Sequence, residues 1–195
     1  VNLVVNNARG LAPQHEISAM HLLAWYTQTR PPMTYVDVGM RYPYAAAVVS
    51  RSCPGIEMFP VVYWDRNGPD ESMFKGTQDS FTFMANNALR AFGNHWSYTQ
   101  FVGGDMNTSI ARLVQAQGPR FRIDLAFLRA SPLATTQVLE LAKLLNPGGA
   151  IVVSGASQQM YQAVMLALSQ NHPNFTTINV NDGQNGIALA ARFAS

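Results

Sequence analysis

Charge is what this sequence has least of. Only 12% of its 195 residues are Asp, Glu, Lys or Arg, against roughly 25% in an ordinary soluble domain. Such a surface is either covered in part by a protein partner or neighbouring domain, or draws its polarity from Asn, Gln, Ser and Thr. The formal net charge of +2 is too small to indicate nucleic acid. Lys75 and Lys143 are the only lysines. The single cysteine, Cys53, excludes an internal disulfide and a cysteine-based metal cluster, so a reducing, cytoplasmic setting is expected. No apolar run approaches the length of a membrane span. The opening Val1-Asn2-Leu3-Val4-Val5 lacks the basic region and cleavage pattern of a signal peptide. It also lacks an initiating methionine, and the chain is expected to be a processed product or a segment of something longer.

What the sequence does have is alternation. Apolar runs of strand length are followed by longer helical patterns, with no internal repeat, as in βαβ units around a parallel sheet. Ile17, Met20, His21, Leu23 and Ala24 mark an opening helix that Pro31-Pro32 stops. Thr34–Val38 reads as a buried first strand and Tyr44–Ser52 as a helix of small residues. Glu57–Trp64 reads as a second strand, although Pro60 removes a ladder donor. Residues 67–77 read as a loop, 78–92 as a helix, 98–102 as a third strand, and 108–117 as a short helix capped by Asn107 or Thr108. Ile123–Leu128 is a fourth strand and Thr135–Leu145 a helix. Asn146-Pro147-Gly148-Gly149 is a turn into a fifth strand, Ala150–Ser154, and a helix follows from Gln158 to Ser169. Phe175–Val180 and Ile187–Phe193 form a closing hairpin-like pair. The expected architecture is a single α/β domain over 1–195, with an extension and helix in 1–32 and the sheet core in 33–195. Its sheet is doubly wound, mostly parallel and seven-stranded, with one antiparallel strand at the edge.

In open α/β sheets a ligand sits outside the carboxyl ends of the strands, so the residues just after each strand are the candidates. They are Asp37 to Tyr44 after the first strand, Asp65 after the second, Asp105 and Met106 after the third, and Arg129 and Ala130 after the fourth. Acids after strands two and three can accept hydrogen bonds from ribose hydroxyls and an adenine amino group.

The segment "TYVDVGMRYPYAAAVVS" resembles the helix-preceded first motif of class I S-adenosylmethionine-dependent methyltransferases. "FVGGDM", "FRIDLAFLRAS" and "VLELAKLLNPGGAIVVSG" are similar to that family's third strand, fourth strand and proline-glycine-glycine turn with fifth strand. The likeness runs from about Gln14 to Phe193 and is nearest in layout to small-molecule O-methyltransferases. It implies S-adenosylmethionine as cofactor. Asp37 and Gly39 would then shape the first loop, together with Arg41 and Tyr44. Asp65 would hold the ribose, Asp105 and Met106 would frame the adenine, and Arg129 would stand at the end of strand four.

Several residues depart from the family pattern. Of the loop glycines only Gly39 remains, with Arg41 and Pro43 in the later places. Arg41 would pair with the cofactor's carboxylate or with Asp37. Arg129 and Ser154-Gly155 stand where metal-dependent relatives carry oxygen ligands, so no metal is expected and no catalytic residue is assigned. The alternative is a catalytically inactive domain of this fold with a structural or protein-interaction role. A nicotinamide-binding domain ranks below both, because Gly39 alone does not make the Gly-x-Gly-x-x-Gly turn. His15, His21, His95 and His172 match no zinc spacing. Met73, Phe74, Phe81, Phe83 and Met84 form either an acceptor pocket or plain helix core, and Trp64 either an adenine wall or an interface anchor.

Overall fold

The computed structural model describes residues 14–39, 44–63, 87, 90, 102–104, 107–180 and 186–193. In chain order the elements are α1 (Gln14–Thr29), β1 (Thr34–Val38), α2 (Tyr44–Ser52), β2 (Glu57–Tyr63), β3 (Val102–Gly104) and α3 (Ser109–Gln117). Then follow β4 (Ile123–Arg129), α4 (Ala134–Leu144), β5 (Leu145–Ala156), α5 (Gln158–Asn171), β6 (Phe175–Val180) and β7 (Gly186–Arg192). The strands form one mixed sheet in the order β3-β2-β1-β4-β5-β7-β6.

An apolar core lies on each face of the sheet. Side chains alternate along a strand, so Tyr35, Leu125, Phe127, Ala150 and Val152 face α1 and α2. Their neighbours Val36, Val38, Ala126, Leu128, Ile151 and Val153 face α3, α4 and α5. A strand covered on both faces reads as a continuous apolar run, which is why β1, β4 and β5 are legible in the sequence. Each fully buried Leu, Val or Phe contributes roughly 1.5–3 kcal/mol. The run of alanines in α2, Ala45 to Ala47, is fully buried and lets that helix lie close to the sheet. Among the described residues no helix is long and apolar enough to cross a membrane.

Three expectations need correction. The antiparallel strand is not at the edge: β7 pairs antiparallel with both β5 and β6, so β6 is the outermost strand and β7 lies one place inside it. Burial explains the order. β7 is mostly buried, whereas β6 alternates between half-buried and exposed positions, as an edge strand does. The described β3 runs through Gly103 and Gly104, which were expected to follow the strand. The proline-glycine-glycine segment, expected as a turn feeding β5, is a bulge within it. Ile123 pairs with Leu145 and Leu125 next with Ala150, leaving Asn146 to Gly149 opposite Asp124 alone.

That bulge is clamped at the amino ends of the strands. Asp124 accepts hydrogen bonds from the Met33 and Thr34 amides (2.9 and 3.1 Å) and from Asn146 Nδ2 (2.8 Å). From α1, Tyr26 Oη donates to the Gly148 carbonyl at 2.8 Å and Arg30 Nη2 to that of Pro147 at 3.1 Å. Gly148 has φ +78°, and a side chain there would collide with the Arg30 guanidinium. Pro60 is tolerated in β2, where the described pairing with β3 begins only at Val61. Of the proposed helix 78–92 only Asn87 and Arg90 are described, both helical and exposed. The loop before it, Trp64 and the apolar stripe from Met73 to Met84 lie outside the described residues.

Candidate functional site

Three polar side chains stand in a row at the carboxyl ends of the central strands, all on the face covered by α1. Asp37 is the fourth residue of β1, Arg129 the last of β4, and Ser154, on β5, is the register partner of Arg129. They share that face because each lies two residues beyond a core residue, Tyr35, Phe127 and Val152 respectively. The first turn of α1 brings Glu16 to the same end.

Arg129 ties the row together. Its Nη1 donates to Asp37 Oδ1 at 2.7 Å and, more weakly, to the Gly39 carbonyl at 3.4 Å. Its Nε lies 3.3 Å from Glu16 Oε1, and its guanidinium stacks on Phe127 at 4.8 Å from the ring centroid. Tyr35 Oη donates to the second oxygen of Asp37 at 3.2 Å. Asp37 is fully buried. That burial lifts its pKa above the usual carboxylate range, while Arg129 and the Tyr35 hydroxyl pull it down and Glu16 adds to the rise. For Arg129 burial works against the charge, but Asp37 and Glu16 outweigh it and hold its pKa above the ordinary arginine range. One guanidinium against two carboxylates leaves the cluster negative when all three are ionised.

Gly39 follows β1 with φ +73°, a left-handed conformation that costs a side-chain-bearing residue about 1–2 kcal/mol. Its amide donates to the Val61 carbonyl at 2.9 Å, so the loop departs from a fixed point between β1 and β2. At the end of β5, Gly155 also has positive φ, and the His15 ring from α1 lies over it, with Nε2 3.2 Å from where a Cβ would be. Ser154 Oγ is buried and has no hydrogen-bond partner among the described residues.

Of the sequence candidates, Asp37, Gly39 and Arg129 come together. Tyr44 is a buried core residue at the start of α2. Arg41, Asp65, Asp105 and Met106 lie outside the described residues, as does any pairing of Arg41 with Asp37. Glu16, Tyr35 and Ser154 were not proposed as site residues. A signal was available for two of them: Tyr35 lies two residues before Asp37 in β1 and Ser154 closes the apolar run of β5, whereas nothing in the sequence brings Glu16 of α1 to the strand ends. Cys53 is buried, its Sγ donating to the Thr27 carbonyl at 3.5 Å, and burial pushes its thiol pKa up. Among the described residues no three His, Cys, Asp or Glu side chains converge on a metal position.

No protein-family model matches the chain, and no curated protein matches it. Solved structures do. It is similar to the O-methyltransferase TomG from Streptomyces achromogenes, described in complex with SAM, with a TM-score of 0.66 at 17% identity, covering 98% of this chain and 88% of that one. An O-methyltransferase from Bacillus cereus in complex with SAH gives 0.67 at 14% identity over 98% and 89%. A methyltransferase from Geobacter sulfurreducens gives 0.66 at 18% over 98% and 87%. The chain therefore has the Rossmann-like fold of the class I O-methyltransferases, at identities that carry the fold alone.

Proposed function

We propose that this chain is a doubly wound, S-adenosylmethionine-dependent methyltransferase domain that binds its cofactor at the carboxyl ends of β1 and β4, beneath the first turn of α1. The observation that carries the reading is Asp37, a fully buried acid at a strand end, followed two residues later by Gly39 at positive φ. The donor set fits a cationic ligand. Arg129 does not make the site positive, because Asp37 and Glu16 both pair with it, and with both acids ionised the net negative charge suits an ammonium or sulfonium. When bound, S-adenosylmethionine supplies a methyl group already activated on sulfur. The protein's part is then to hold cofactor and acceptor in line. Asp37 and Gly39 would fix the amino-acid end, while Asp65, Asp105 and Met106 would hold ribose and adenine. Two of the similar structures are complexes with SAM or SAH, which supports this choice of ligand.

Calorimetry and thermal shift with S-adenosylmethionine and S-adenosylhomocysteine test the reading. Ligand at a hundred times its dissociation constant adds about 2.7 kcal/mol, or roughly 5–10 °C in Tm for a domain of this size. No heat and no shift at millimolar ligand would sink it.

One observation favours a second reading, an inactive domain of this fold with a structural role. Asp37 is already held at 2.7 Å by Arg129, which also reaches the Gly39 carbonyl, so the acid and the loop are satisfied from within. On that reading, glycine at positions 41 and 43 restores no cofactor binding.

A further inference from the structure

The outer edge of β6 is open, and apolar groups gather around it. Seven large hydrophobic side chains are exposed among the described residues, and five of them belong to this end of the sheet: Met165, Leu166, Ile178, Val180 and Phe193. Met165 and Leu166 are on α5, the helix leading into β6, while Ile178 and Val180 are on β6 itself, 50% and 52% exposed. Phe193 follows β7, its amide bonded to the Asn174 carbonyl just before β6. Among the described residues no strand pairs with the far side of β6, so that side presents unpaired backbone groups.

Proteins protect such edges with charge, proline, bulges or very short strands. Phe175-Thr176-Thr177-Ile178-Asn179-Val180 has no charge and no proline, and it pairs with β7 over six consecutive residues without a bulge. An edge without these devices is built to be covered by another strand, and its chemistry favours its own copy. In an antiparallel pair, opposite residues share a face, so a two-fold axis normal to the sheet must pass midway between a residue and its own copy. Centred on Ile178, it sets Ile178 against Ile178 and Thr176 against Val180 on one face, and Thr177 against Asn179 on the other. No like charges meet, and the apolar pairs fall together. We infer that β6 pairs antiparallel with β6 of a second copy about a two-fold axis at Ile178, joining two sheets into one. The pairing is independent of cofactor binding.

Sedimentation velocity of the full chain across the micromolar range tests the inference, with circular dichroism to confirm folding. The native chain should sediment with the mass of two copies. Ile178→Lys and Ile178→Glu, each placing like charges face to face, should raise the dissociation constant more than about tenfold. Mixing the two variants should restore the pair, because opposite charges then meet on the axis. Thr176→Lys, at an exposed threonine, should weaken the pair too and guards against loss of folding at position 178. A native chain that is monomeric throughout overturns the inference, as does a dimer indifferent to these substitutions. So does a mixture that stays monomeric.

Discussion

Replacing Arg129 by alanine isolates the energetics of the strand-end cluster. The substitution leaves Asp37, which has no exposed surface, with only the Tyr35 hydroxyl of the partners described above. Removing one member of a buried ion pair costs about 3–5 kcal/mol, because the surviving charge keeps its desolvation penalty and loses its compensation. For a chain of this length that corresponds to a Tm lowered by roughly 6–20 °C. The penalty must depend on pH, and its sign follows from Asp37. Its folded pKa lies above the unfolded value, so between the two the native state binds more protons and stability falls as pH rises. Without Arg129 the main influence pulling that pKa down disappears, and the window widens upward. The loss in Arg129→Ala should therefore be greatest near pH 8 and shrink toward pH 5, as Asp37 takes up a proton. Adding Asp37→Asn to the variant should recover stability at pH 8, since no buried charge remains. Thermal and urea unfolding at both pH values is the assay. A loss below about 1 kcal/mol, or one equal at the two pH values, would refute this account of Asp37.

Two further outcomes follow from the polar groups at either end of the sheet. Ser154→Ala removes a buried hydroxyl without a partner among the described residues, so stability should stay level or rise by up to about 1 kcal/mol. A fall of that size in urea unfolding would mean the hydroxyl is satisfied after all. Asp124→Ala should lower stability by about 2–4 kcal/mol, because the Met33 and Thr34 amides and the Asn146 carboxamide all lose their acceptor. It lies at the opposite end from Asp37, so binding of S-adenosylhomocysteine measured by calorimetry should be unchanged in the folded variant.

Legibility in the sequence tracked burial. β1 and β6 have the expected bounds, and β4 and β5 stand where the expected apolar runs lie, because a strand's signal is its pattern of covered faces. Strand order is a different matter, since it depends on which crossover a hairpin folds back into. The clue was present: Gly186-Ile187-Ala188-Leu189-Ala190-Ala191 is apolar throughout, as an interior strand must be, while Phe175 to Val180 mixes Thr and Asn with Ile and Val. The bulge at Asn146 to Gly149 reads as a turn in the sequence because proline and glycine give the same signal in both. Asp37 and Arg129 were each legible as strand-end residues, but as candidates for a ligand rather than as partners of one another. A single sequence shows a charge in an apolar strand, not which neighbouring strand answers it.

The two ends of the sheet close their polar groups in ways that differ in reversibility, and this places the candidate site. A cavity of about 210 Å³ lies at the amino ends, lined by residues including Tyr26, Arg30, Asp124 and Gly148. Its acid is held partly by backbone amides, and its tyrosine and arginine are bonded to the turn. A ligand entering there would have to displace main-chain groups that cannot move without breaking the connection between α1 and β1. At the carboxyl ends the acid is held by side chains, Arg129 and Tyr35, and a guanidinium on a long stem can rotate away when a ligand offers Asp37 a cation. On the proposed reading, the cluster that is satisfied from within exchanges one cation for another when the cofactor binds. That exchange separates a cofactor site from an inert ion pair: in a binding-competent protein, S-adenosylhomocysteine should relieve part of the stability lost in Arg129→Ala, because its ammonium supplies the charge that the substitution removed.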